Sequence, residues 1–338
     1  MNGNNHFSFF TPVDMPHSLP RLAQAQRLMA LGSCFATEMG GRLAAAKFQC
    51  DVNPFGVLYN PLSIATALRQ IADGQPYAAD DLFFANGCWN SAMHHSSFSM
   101  PTVEETLKAI NNRLQQAHAG WNRLDALLLT LGTAWVYCDR ETDRVVGNCH
   151  KRPERYFRRT MLTVDEIVEA LSDVLDSYWT ATPSMQVLFT VSPIRHIRDG
   201  LHANQLSKAT LLLAVEQLQQ RYPDRVAYFP AYELLLDELR DYRFYATDMV
   251  HPSEMAVEVV WDRFVQACFT PEAMALNLEI QEIAKALQHK PFRPESEAYK
   301  HFLGQIVLKI DRLNEKYPYL DFQNERELCR IRLKASQK

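Results

Sequence analysis

Three side chains in this sequence, Ser33, Asp248 and His251, have the types needed for nucleophilic hydrolysis. A serine hydroxyl attacks poorly until a base takes its proton. His251 is the candidate base, and Asp248, three residues earlier, can fix the imidazole tautomer through the second ring nitrogen. Ser33 follows the apolar run Arg27–Leu31 and Gly32, and a helical pattern follows it, so it falls on a strand-to-helix turn. Such a turn exposes the hydroxyl, and the N–H groups and positive dipole of the helix start favour a developing oxyanion. Gly56, in Asn53-Pro54-Phe55-Gly56, can add a second backbone N–H with no side chain in the way. Each residue also has a plainer role. Ser33 can be a helix N-cap, and Asp248 and His251 can be surface loop residues. The order of all of them, each placed at a strand end, favours the chemical reading.

The elements that must position them alternate along the chain. Short apolar runs at 27–31, 48–52, 124–131, 186–191 and 226–229 read as strands. Helical spacing follows at about 35–48, 62–71, 102–119, 163–179, 201–221, 232–239 and 252–267. Thr102 to Glu105 and Thr163 to Glu166 have the capping-box pattern. Alternation of this kind predicts an α/β protein with a mostly parallel sheet and helices on both faces. Residues 134–138 and 144–146 read as a hairpin, 76–100 as a strand pair or irregular insert, and 1–26 as an extended lead-in. Beyond residue 268 the strands stop, and three helix candidates follow. The expected division is therefore 1–268 for the α/β domain and 269–338 for a helical extension.

In open parallel sheets ligands bind beyond the carboxyl ends of the strands. Gly32-Ser33, Gly132-Thr133-Ala134-Trp135 and Ser192-Pro193-Ile194-Arg195-His196 all follow strand runs. Trp135, Arg195 and His196, with Trp89, His94 and His95, are candidate pocket residues, and Arg195 suits an anionic substrate group. Glycine is scarce: 12 occur, where average usage of about 7% would give roughly 24. Gly32, Gly56 and Gly132 nevertheless all fall at or near these strand ends.

Thirty-five basic against 39 acidic residues leave a formal charge of −4, which argues against a nucleic-acid or anionic-membrane binder. The seven cysteines are odd in number with no CxxC spacing, and read as free thiols in a reducing compartment. Cys34 is expected to be buried, as cysteines commonly are. The histidine spacings match no usual zinc pattern, so no metal is expected. The first residues lack a basic and a long apolar region, and no apolar run is long enough to span a bilayer. The expectation is a cytoplasmic protein.

Gly32-Ser33-Cys34-Phe35-Ala36 is the literal signature of the GSCFA-domain family, which the chain resembles from about residue 5 to 268. Supporting stretches are Asn53-Pro-Phe-Gly56, Leu131-Gly-Thr-Ala-Trp135, Asn148-Cys-His-Lys151, Ser192-Pro-Ile-Arg-His196 and Asp248-Met-Val-His251. GSCFA proteins in turn resemble the GDSL/SGNH hydrolases, which are esterases, lipases, thioesterases and carbohydrate deacetylases. The resemblance implies a flavodoxin-like three-layer α/β/α fold. It also implies Ser33 as nucleophile, Gly56 as oxyanion donor, and Asp248 and His251 as the rest of a triad. The sequence departs from the superfamily in two places. Gly-Ser-Cys stands where Gly-Asp-Ser is usual, and Ala134 stands where Gly-x-Asn places its oxyanion-hole asparagine. Asn148 is the candidate replacement.

The expected function is a serine esterase or deacylase acting on a small-molecule or carbohydrate acyl ester, without a cofactor, a nucleic acid or a membrane. A non-catalytic binding or scaffold protein is the alternative, as is an acyltransferase using the same site. The oligomeric state is open, and a third route is hydrolysis through Cys34.

Overall fold

The computed structural model describes residues 11–289 and 291–335. The first ten residues of the expected lead-in therefore lie outside the described residues. In chain order, β1 (Arg27–Gly32), α1 (Cys34–Ala45), β2 (Gln49–Val52) and α2 (Pro61–Asp73) open the fold. An insert follows with the hairpin β3 (Leu82–Ala85) and β4 (Cys88–Ser91), then α3 (Val103–Trp121) and β5 (Ala126–Leu131). Next come β6 (Trp135–Asp139), β7 (Val145–Val146), β8 (Phe157–Met161), α4 (Val164–Ala181), β9 (Gln186–Val191), α5 (Leu201–Arg221) and β10 (Val226–Tyr228). A single helical turn, α6 (Ala231–Glu233), runs into a π-helical turn at Leu234–Glu238, where a longer regular helix was expected. The rest is helical: α7 (Glu254–Cys268), α8 (Pro271–Gln288), α9 (Glu297–Lys316) and α10 (Gln323–Ala335).

Five strands form one parallel sheet in the order β2-β1-β5-β9-β10. The three central strands are buried on both faces because alternate residues enter opposite cores. Met29, Leu31, Leu127, Leu129, Val187 and Phe189 pack with α2, α3, α4 and α5. Leu28, Ala30, Leu128 and Leu188 pack with α1 and α7. This is the expected α/β/α sandwich. The carboxyl ends of β1 and β5 flank the point where the chain switches direction across the sheet, the usual place for a ligand in such folds.

The caps read from sequence form in part. Thr163 and Glu166 make the full reciprocal box at the start of α4. Thr102 caps α3 through Glu105 N–H, but Glu105 turns its carboxylate to the Thr102 hydroxyl instead of the backbone. Strand β8 was not anticipated. Four of its five residues are not buried. It forms because it pairs antiparallel with β6, on the edge opposite β7. Among the described residues, no helix is long and apolar enough to cross a membrane.

Helices α8 to α10 build a separate hydrophobic cluster around Ile280, Leu303, Ile310, Phe322 and Cys329. It touches the sandwich through Lys47, whose ammonium pairs with Glu325 at 2.6 Å and lies over the Phe322 ring.

Candidate active site

The sharp turn at the end of β1 is dictated by close backbone approach. Gly32 has φ +141°, and a side chain there would meet the Thr130 carbonyl at 2.1 Å. Its N–H is held by the Asn53 side chain at 2.9 Å, and its carbonyl takes the N–H of Leu58 at 2.9 Å. Ser33 N–H then bonds Thr130 O at 3.2 Å. The next residues enter α1, with Ser33 as its N-cap and Phe35 N–H donating to the Ser33 hydroxyl at 3.3 Å. The expected nucleophile is thus also the helix cap, and the cap reading of Ser33 does not exclude the chemical one.

Burial at this turn runs against expectation for Cys34. The thiol is exposed, with Sγ 3.5 Å from the Tyr59 hydroxyl, whereas Ser33 is 2% exposed. The reason is geometric. The N-cap side chain folds back over the first turn, and the next residue, the first of α1, projects outward.

Asp248 and His251 close a short loop before α7. One carboxylate oxygen of Asp248 accepts the N–H groups of Val250 and His251, each at 2.9 Å. The other lies 2.6 Å from His251 Nδ1. The three-residue spacing lets one carboxylate build the turn and orient the ring. These N–H groups, and then the imidazole, bring the Asp248 pKa down to about 2. With Nδ1–H given to Asp248, Nε2 is left to act as a base.

A cavity of about 740 Å³ joins these parts. Its wall includes Ser33, Cys34, Asp248 and His251, together with Asn148, Trp135, Arg195 and His196. No hydrogen bond links Ser33 Oγ to His251 among the described residues, though the two share a cavity. Gly56 is placed elsewhere. Its N–H goes to Asn53 O at 2.7 Å, and it lines an adjoining groove with Asn53, Val57 and His95. That amide has no spare hydrogen to offer at Ser33. Asn148 does reach the cavity. Its Oδ1 accepts His150 N–H at 2.8 Å, and its NH₂ has a single long contact, 3.4 Å to Ser96 Oγ.

Of the other expected pocket residues, His95 lines the cavity. His94 is buried behind it, stacked on Phe55, and burial lowers its pKa to about 3. Trp89 sits on β4 against Phe84, outside the cavity wall. His196 is held neutral, its pKa lowered to about 4 by burial and then by the Lys208 charge.

Lys208 was missed from sequence. Inside the 201–221 helical pattern it reads as an ordinary surface lysine, yet it is 1% exposed. Its ammonium donates to Gly132 O and Ser192 O, both at 2.6 Å, and so clamps the ends of β5 and β9. Burial, with Arg195 adding to it, brings its pKa down to about 7. The neutral amine keeps two N–H groups, one for each carbonyl.

Between pH 7 and the free-lysine value of about 10.4, the unfolded chain holds a proton that the native chain has released. Stability from this group is full above that range and is lost as the pH falls to about 7. Urea unfolding should therefore show the native protein gaining on a Lys208→Met variant between about pH 7 and about pH 9.5. An unchanged difference would refute the depressed pKa. The variant also strands two carbonyls, at about 1–3 kcal/mol each.

Comparison with known proteins gives two matches, both to family models. One, described as GSCFA family, matches residues 27–264. The other, described as GSCFA domain protein, C-terminal domain, matches residues 280–335. No curated protein matches the chain, and no solved structure does.

Proposed function

Since the chain belongs to the GSCFA family, we propose that it is a serine hydrolase that cleaves a small acyl ester, with Ser33, His251 and Asp248 as its triad. The observation that carries this reading is the shared cavity. A serine at a helix start and an oriented Asp–His pair, more than two hundred residues apart in sequence, line the same wall. In the reaction, His251 Nε2 takes the Ser33 proton as Oγ bonds to the acyl carbon. The alcohol then departs with that proton as the C–O bond breaks. Water, deprotonated by His251, frees the acid and restores the serine.

In this reading Gly56 is not an oxyanion donor, because its N–H is given to Asn53 O. Helix geometry leaves the Cys34 N–H, the first of α1, without an intrahelical acceptor. That amide and the under-used Asn148 NH₂ are the oxyanion donors in this reading, and Trp135 and His196 shape the pocket. If water is excluded, the same acyl-enzyme serves an acyltransferase.

Cys34 supports a second reading, because its thiol is exposed in the cavity beside Tyr59. A fluorophosphonate probe followed by peptide mass spectrometry separates the two. Label on Ser33, abolished by His251→Ala, is the expected result. An unlabelled folded protein without esterase activity would point to a binding protein with a disused site. Turnover lost in Cys34→Ala but kept without Ser33 would assign the chemistry to the thiol.

A further inference from the structure

The cavity has the opposite charge to the chain around it. The whole sequence is formally −4, yet the cavity wall includes Lys151, Arg159, Arg195 and Arg198 against Asp199 and Asp248. Both carboxylates are already engaged, Asp248 with His251 and Asp199 with Arg159. Arg198 is held at the rim by Glu154. Two cations remain without a carboxylate among the described residues. Arg195 has the Tyr245 hydroxyl at 2.8 Å, and its guanidinium lies over that ring. Lys151 makes no ion pair among the described residues.

The position of Lys151 is built, not incidental. His150 and Lys151 both have positive φ, 47° and 56°, a conformation that is unfavourable for residues with a side chain and persists only where the surroundings enforce it. They do so here. The His150 carbonyl accepts Asn86 Nδ2 at 2.7 Å, His150 Nε2 bonds Ser91 O at 2.8 Å, and His150 N–H bonds Asn148 Oδ1. The insert between α2 and α3 thus braces a strained loop that puts a lysine on the cavity wall. A cleft walled by one sign of charge concentrates ligands of the other, and arginine suits carboxylates and phosphates in particular.

We propose that the cavity takes an anionic ester, one whose alcohol part carries a carboxylate or phosphate held between Lys151 and Arg195. The acyl carbonyl lies at Ser33, beside Thr133 and Ser192 on the same cavity wall. The proposal rests on the hydrolase reading of this same site. Its chemistry separates the two ends of the substrate: acyl group at the sheet, anion at the loops.

The test compares acetyl esters that carry a para carboxylate or its methyl ester, with acetate release as the readout. The value of kcat/KM for 4-acetoxybenzoate should exceed that for methyl 4-acetoxybenzoate by at least about tenfold, and the gap should narrow as salt rises from about 0.05 M to about 0.5 M. Arg195→Gln and Lys151→Gln should each bring the ratio towards one. A parallel arm with 4-acetoxyphenyl phosphate shows which anion is preferred. Calorimetric titration of the native protein with 4-hydroxybenzoate and with its methyl ester reads the subsite without turnover. Tighter binding of the acid with no ester hydrolysed would keep the anion subsite and reject the hydrolase. Hydrolysis at equal rates, with equal binding of the two products, would keep the hydrolase and overturn the anion subsite.

Discussion

Replacing Ser33 by glycine should cut turnover of an activated acetyl ester by about 10⁶-fold, the loss seen when a triad serine is removed. The loss should fall on kcat, because the hydroxyl acts only once the acyl carbon is attacked. Glycine is the informative substitution, and alanine is not. Ser33 caps α1 through Phe35 N–H, and an alanine at a cap costs about 1 kcal/mol, whereas glycine costs a few tenths. The backbone at Ser33, φ −68° and ψ 179°, is open to either residue. An unfolding midpoint near that of the native protein, combined with lost turnover, would assign the effect to chemistry. A Ser33→Gly protein that retains full kcat would end the serine reading outright.

Asp248→Asn should lower kcat by about 10⁴-fold with little change in KM. The replacement keeps an oxygen for the N–H groups of Val250 and His251, so the turn survives. It puts an amide NH₂ opposite His251 Nδ1, where the carboxylate oxygen stood at 2.6 Å. The imidazole then carries its proton on Nε2 and cannot accept one from Ser33. Because the Asp248 pKa lies at about 2, its carboxylate stays ionised across the working range. Any acid limb of the native pH–rate profile above about pH 4 therefore belongs to another group. The variant should keep native stability, since both side chains are about half exposed. Turnover in Asp248→Asn within a few-fold of native would reduce this pair to a surface turn.

The strands and helices of the sandwich were legible because burial on two faces leaves continuous apolar runs, such as 126–131, with helical periodicity between them. What escaped was set by tertiary context. Strand β8 has almost no apolar signal, because its outward residues stay exposed while backbone pairing to β6 holds it. The π-helical turn at 234–238 breaks the 3.6-residue period that its sequence suggests. At the site, residue types and order placed Ser33, Asp248, His251, Trp135, Arg195, His196 and Asn148 on a common rim, and all of them line the cavity. Gly56 and Cys34 went astray for one shared reason. Strand-end position specifies which residues are near, but the turn's own hydrogen bonds decide which N–H is free and which side chain faces out. Lys208 carried no sequence signal, since its role depends on two carbonyls from other strands.

The turn that presents Ser33 also says when in folding the site can exist. Leu28 pairs with Ala126, and Gly32 with Thr130, so β1 and β5 meet only after the intervening chain of nearly a hundred residues has closed on itself. Contacts so distant in sequence are slow to form. Ser33 N–H is held by Thr130, and the Gly32 kink is pressed against the same carbonyl. Before β5 docks, the serine is one hydroxyl among many on a loose segment. Its geometry is completed by a non-local step, so Ser33 takes up its place only once this part of the core has closed.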